Sequence, residues 1–90
     1  MTWKIELVAE AERALAKMDR QVARRIYAFL SLRLAKLESP RQIGEALNGK
    51  QLGELWKYRV GDYRIIARIE DSVLRVLVIK IGHRRQVYNR

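Results

Sequence analysis

The sequence predicts an α+β domain, an N-terminal strand and an antiparallel helical hairpin packed on an antiparallel β-sheet meander. Three observations carry that reading. Two adjoining stretches before residue 38 repeat their apolar residues at helical spacing. Three stretches after residue 55 alternate apolar and polar residues. Gly61-Asp62 separates the first two of these as a two-residue turn. The 90 residues suit one domain over 1–90, and a hydrophobic fraction of 49% is enough for a core.

Taken in order, Trp3 to Leu7 can form a first strand. Ala9 to Met18 is rich in strong helix formers, with Ala11, Leu15 and Met18 on one stripe. Asp19 is placed to cap a second helix. There Val22, Ile26, Leu30, Leu34 and Leu37 recur at steps of three or four, and Phe29 widens the stripe. Ser39-Pro40 stops it. Residues 41–54 read as a loop, with Gly44, Asn48-Gly49 and Gly53 as turn signals. Strands are expected over about Leu55–Val60, Tyr63–Glu70 and Val73–Ile81. Glycine first in the turn suits type II′, and Asp71-Ser72 suits a second tight turn.

Pairing Val60 with Tyr63 sorts the strands into two faces. Trp56, Tyr58, Val60, Tyr63, Ile65, Ala67, Ile69, Leu74, Val76 and Val78 face the helices. Lys57, Arg59, Arg64, Arg68 and Arg75 share the opposite face with Ile66, Leu77 and Ile79. Arg59 then lies across the ladder from Arg64, and like charges directly opposite destabilise a sheet. An anionic ligand would relieve that repulsion, and guanidinium groups grip phosphate oxygens in pairs.

Nineteen Lys and Arg against ten Asp and Glu give a formal net charge of +9. Such a balance points to nucleic acid, an anionic surface or an acidic protein. A membrane partner is disfavoured, because the helical stripe is already matched by a sheet face and no apolar run nears the roughly 20 residues of a span. With no long apolar core in Met1–Leu7, the expected location is the cytoplasm. The absence of cysteine excludes a disulfide framework and a thiolate metal site. One histidine, His83, does not make a metal site, and no cofactor motif is present. His83 is either an acid or base near neutral pH or a strand-end residue holding the backbone. Tyr88 either meets a nucleic-acid base or phosphate, or anchors the tail.

The segments Leu55-Trp56-Lys57-Tyr58-Arg59-Val60-Gly61-Asp62-Tyr63-Arg64 and Gly82-His83-Arg84-Arg85-Gln86-Val87-Tyr88, in this order of elements, resemble the RelE branch of the RelE/ParE toxin superfamily over nearly the whole chain. The resemblance implies the toxin of a type II toxin–antitoxin pair. It implies metal-independent cleavage of mRNA in the ribosomal A site, by attack of a 2′-hydroxyl on the adjacent phosphate. An acidic, RelB-like antitoxin would hold the toxin inactive, and operator DNA would be reached only through that antitoxin. Carried over by position, the catalytic set is Lys57, Arg59, Arg64, Arg84 and Tyr88, with His83 added. Arg64 and Arg84 would stabilise the phosphorane, Lys57 or His83 would move the proton, and Tyr88 would orient the substrate base. Two other functions stay open on the same fold: poisoning of DNA gyrase, as in the ParE branch, and a non-catalytic relic that only occupies an antitoxin.

Overall fold

The computed structural model describes residues 2–47 and 55–85. Strand β1 (Lys4–Leu7) leads into helices α1 (Ala9–Lys17) and α2 (Arg20–Ala28). A two-residue strand β2 (Glu45–Ala46) precedes β3 (Leu55–Val60), β4 (Tyr63–Glu70) and β5 (Arg75–His83). They form one sheet in the order β1-β5-β4-β3-β2. The β3-β4-β5 meander is antiparallel as expected, whereas β1 joins β5 in parallel and makes the sheet mixed. A parallel neighbour needs a long crossover, and the chain between β1 and β5 carries both helices.

Helix α1 places Glu10 and Glu12 in its first turn and Lys17 in its last, which complements the helix dipole. The Asp19 carboxylate caps α2 by accepting the Gln21 backbone N–H at 3.0 Å. The apolar stripe continues beyond α2 with a change of winding. Phe29–Arg33 forms a π turn and Leu34–Lys36 a 3₁₀ turn. In a regular α-helix, residues four apart drift about 40° around the axis. The wider π turn reverses that drift, so Ile26, Leu30 and Leu34 all stay buried. They meet Tyr58, Ile65, Ala67, Ile69, Val76 and Val78 in one core on the expected face of the sheet.

Two departures concern β5. Leu74, expected inside the strand, ends a 3₁₀ turn (Asp71–Val73) with φ +51°, and β5 starts only at Arg75. The tight turn expected at Asp71-Ser72 is therefore a longer connection. Further on, Ile66 pairs with Lys80 and Ala67 with Val78, which leaves Ile79 as an extra, bulged residue. The bulge reverses the inward–outward phase. Lys80 joins the outer face, and Ile81 turns into the core. Ile79 is therefore not the regular outer-face residue that strict alternation implied.

Within 41–54 the expected loop holds more order than turn residues alone suggest. Ser39 caps a 3₁₀ turn (Pro40–Gln42) and β2 follows. Asn48-Gly49 and Gly53 lie outside the described residues. Backbone carbonyls here are satisfied by side chains from the sheet side. Trp3 Nε1 donates to Glu38 O at 3.0 Å, the buried Tyr58 hydroxyl to Pro40 O at 2.6 Å, and Trp56 Nε1 to Ile43 O at 2.8 Å. Arg41 adds a two-pronged bridge to Asp71, at 2.8 and 3.0 Å. Among the described residues, no helix is long and apolar enough to cross a membrane.

A cationic sheet face as candidate functional site

The face of the sheet away from the helices carries the basic residues. Lys57 pairs with Ile66, Arg59 with Arg64 and Leu55 with Arg68 across β3 and β4. Paired residues share a face, so Lys57, Arg59, Arg64 and Arg68 surround Ile66, and Lys80 joins from β5. Arg75, on the same face, is taken up by Glu6 and Glu70. No carboxylate of the described residues lies within ion-pair distance of Arg59, Arg64, Arg68 or Lys80.

The Arg59–Arg64 opposition is real, and the structure shows how the free protein tolerates it. Gly61 holds φ +58° and Asp62 does not share the positive φ, as a type II′ turn requires. Arg64 bends back over this turn, and its Nη1 donates to Gly61 O and Tyr63 O, both at 3.1 Å. It is only 8% exposed, whereas Arg59 projects into solvent. One of the two facing charges is thus fixed by carbonyl dipoles, and the other is left to meet a ligand. The turn is also covered by Arg25 from α2, whose Nη2 would lie 3.4 Å from a Cβ at residue 61.

Lys57 meets a carboxylate that nothing in the sequence singles out. Its Nζ lies 2.8 Å from Glu45 Oε1. Lys57 first, then Arg59 and Arg64 at longer range, hold the Glu45 carboxyl below its ordinary range. Gly44 makes this possible. It sits at φ +78°, and a Cβ there would come within 2.5 Å of Lys57 O. Beside the pair, an open cavity of about 360 Å³ is lined by Phe29, Arg33, Ile43, Gly44, Glu45, Lys57, Tyr58 and Arg59. Strand β2 ends its pairing at Lys57, so the edge of β3 beyond it has no strand partner among the described residues.

The remaining expected site residues are divided. Arg84 is exposed and lies at the hairpin, where its backbone N–H donates to Asp62 O at 2.7 Å. His83 pairs with Tyr63 on the helix-facing side, ring centroids 5.7 Å apart and nearly perpendicular. Its Nδ1 accepts the Arg85 backbone N–H at 3.2 Å. The structure therefore puts His83 on the opposite side of the sheet from Lys57, Arg59 and Arg64, a consequence of the Ile79 bulge. Tyr88 lies outside the described residues. Among the described residues, no group of three His, Asp or Glu side chains is arranged to hold a metal ion.

A family model described as the ParE toxin of type II toxin–antitoxin systems matches residues 5–88. The chain belongs to the RelE/ParE superfamily of type II toxins. Along its full length it is 26% identical to toxin RelG of Mycobacterium tuberculosis, over the whole of that protein. The fold is shared with the toxin in the M. tuberculosis RelBE2 toxin–antitoxin complex, at a TM-score of 0.83 and 23% identity over 92% of both chains. It is shared also with the archaeal RelE–RelB complex of Pyrococcus horikoshii, at a TM-score of 0.72 and 25% identity over 96% of this chain and 99% of that one. The E. coli RelBE complex matches at a TM-score of 0.70 and 23% identity, over 90% of this chain and 95% of the other. In this toxin the cationic face is the arrangement suited to an anionic ligand. It can neutralise charge on phosphate oxygens, and it offers Lys57 as a group able to carry a proton.

Proposed function

We propose that this toxin is a ribosome-dependent endoribonuclease that cuts mRNA in the A site. The observation that carries the reading is the convergence of Lys57, Arg59 and Arg64 on the sheet face away from the helices, with the Arg84 backbone bound at the adjoining turn. In the reaction the 2′-oxygen attacks the neighbouring phosphorus, the bond to the 5′-oxygen breaks, and a 2′,3′-cyclic phosphate and a 5′-hydroxyl result. Negative charge builds on the non-bridging oxygens, where Arg59, Arg64 and Arg84 act as donors, Arg64 being the one held in place in the free protein. Of the two groups proposed to move the proton, His83 faces the helices, and the role falls to Lys57. Arginine does not serve, because its guanidinium stays protonated. Tyr88 is assigned to the substrate base by the resemblance alone.

The partner reading follows from the same face. The solved relatives include toxins in complex with RelB-type antitoxins. An acidic amphipathic segment would neutralise Arg59 and Arg68 and cover the half-buried Leu77, so its binding should weaken with added salt.

Arg64→Ala tests the catalytic reading. Cleavage in a toeprint on translating ribosomes should fall by at least about a hundredfold, the usual effect of losing one oxyanion donor. Because Arg64 also braces the turn, the comparison needs Arg64→Lys and a check by circular dichroism that both variants are folded. Undiminished cutting by folded Arg64→Ala protein would refute the role. A second reading is favoured by the ParE description of the matching family: poisoning of DNA gyrase. DNA breaks with intact mRNA would select it, and expression without growth arrest would select an inactive relic.

A further inference from the structure

We propose that Glu45 is an internal stand-in for phosphate: its carboxylate occupies the anion position at Lys57 in the free toxin, and an RNA phosphodiester displaces it on binding. This deepens the nuclease reading and rests on it for the choice of RNA as the ligand.

Lys57, Arg59 and Arg64 lie on neighbouring positions of one face, and an anion beside them eases the repulsion that the carbonyls holding Arg64 leave in place. Glu45 supplies one. It faces Lys57 directly in the β2–β3 register, with 2.8 Å between the charged atoms. It is the outer partner. The Glu45 side chain is 61% exposed and that of Lys57 only 17%, so the carboxylate covers the ammonium from the solvent side. A phosphate approaching Lys57 from solvent therefore meets Glu45 first.

The position is built into the backbone. Gly44 takes a positive φ at a spot with no room for a Cβ, and this brings β2 against Lys57 O. Trp56 Nε1 anchors the strand just upstream, through Ile43 O. Glu45 cannot simply drift off with its strand, but its side chain can swing. The cavity beside it offers the space, and Arg33 and Arg59 line that cavity as further cations. A carboxylate and a phosphate each present anionic oxygens to the same ammonium donor, so one substitutes for the other. Kept in place against bound RNA, Glu45 would repel the phosphate. Displaced, it opens its own position beside Lys57 to the ligand.

The test is the affinity for a fluorescein-labelled 2′-O-methyl hexauridylate, which lacks the attacking hydroxyl and cannot be cut. Fluorescence anisotropy should show Glu45→Gln binding about two- to fivefold more tightly than wild type, the scale of one partly exposed ion pair. Lys57→Gln should weaken binding, and adding Glu45→Gln to it should recover little, since the two act through one contact. Unchanged or weaker binding by folded Glu45→Gln, or no measurable binding by either protein, would overturn the proposal. Weaker binding would show instead that Glu45 supports the bound RNA. Because the probe cannot be cleaved, the two ideas fail separately. The expected binding with no cleavage on ribosomes removes only the nuclease reading. Cleavage without the affinity gain removes only this one.

Discussion

Replacing Gly44 by alanine should loosen β2 and the Glu45–Lys57 pair together. Two penalties arise at once. An L-residue at φ +78° is strained by roughly 1–2 kcal/mol. The new methyl would also lie 2.5 Å from Lys57 O, 2.8 Å from Tyr58 Cδ1 and 2.9 Å from Trp56 Nε1. The backbone oxygen and a buried ring have no room to yield, so the chain escapes by lifting β2 away from β3. The interactions broken by that movement set the ceiling on the effect. They are the Trp56–Ile43 hydrogen bond and the ladder bonds of a two-residue strand, at about 1 kcal/mol each, together with a partly exposed ion pair that adds less. The expected loss is about 2–4 kcal/mol, which lowers the urea midpoint by about 2 M. Urea unfolding gives the magnitude, and hydrogen exchange of the Trp56 indole N–H reports whether the loss is local to β2. Gly44→Asn separates the two causes, because asparagine tolerates the left-handed region but still brings a Cβ. An unchanged midpoint with a still-protected indole in Gly44→Ala would refute the reasoning. Full stability in Gly44→Asn would remove its steric half.

The buried Tyr58 hydroxyl donates to Pro40 O, so Tyr58→Phe leaves that carbonyl without its partner and should cost about 1–3 kcal/mol in urea unfolding; a change below about 0.3 kcal/mol would show the bond to be dispensable. Arg41 holds the Asp71 carboxyl below its ordinary range, so the folded state binds that proton less readily than the unfolded chain. The bridge therefore stabilises fully above the ordinary carboxylate pKa near 4 and fades as pH falls through the lowered folded value. Melting temperatures should show wild type above Asp71→Asn at pH 7 and the two converging once the pH is below the lowered folded value; a gap that persists at still lower pH would assign the difference to something other than the ion pair.

The fold was legible where one local rule decided each element. Asp19 had to cap, Gly61-Asp62 had to turn, and alternation from Val60 outward sorted Trp56, Tyr58, Ile65, Ala67 and Ile69 to the core. Legibility ended where a non-local contact intervened. Nothing in Val76–Ile81 marks Ile79 as the residue to be bulged. The shift is decided by which of Ile79, Lys80 and Ile81 best fills the core beside Ile65, and that is a property of the packed sheet. His83 shows the consequence, since one extra residue carries it to the opposite face from the Lys57 row. The same limit hid Glu45, because a two-residue strand has too few positions to display a period. Gly44 read as one more turn glycine, and only its clash with Lys57 O reveals a strand pressed against an edge.

Glu45 is one part of how so basic a face exists on a small sheet. A row of like charges is tolerable when each has its own local answer. Arg64 leans on the carbonyls of its turn, Arg75 on Glu6 and Glu70, and Lys57 on Glu45. Arg59 has no such answer among the described residues. The answers differ in strength. Arg64 is enclosed, whereas Glu45 stands in solvent and is opposed by any incoming anion. Ligand exchange on this face should therefore begin at Lys57 and Arg59, on the open edge of β3, and reach Arg64 last.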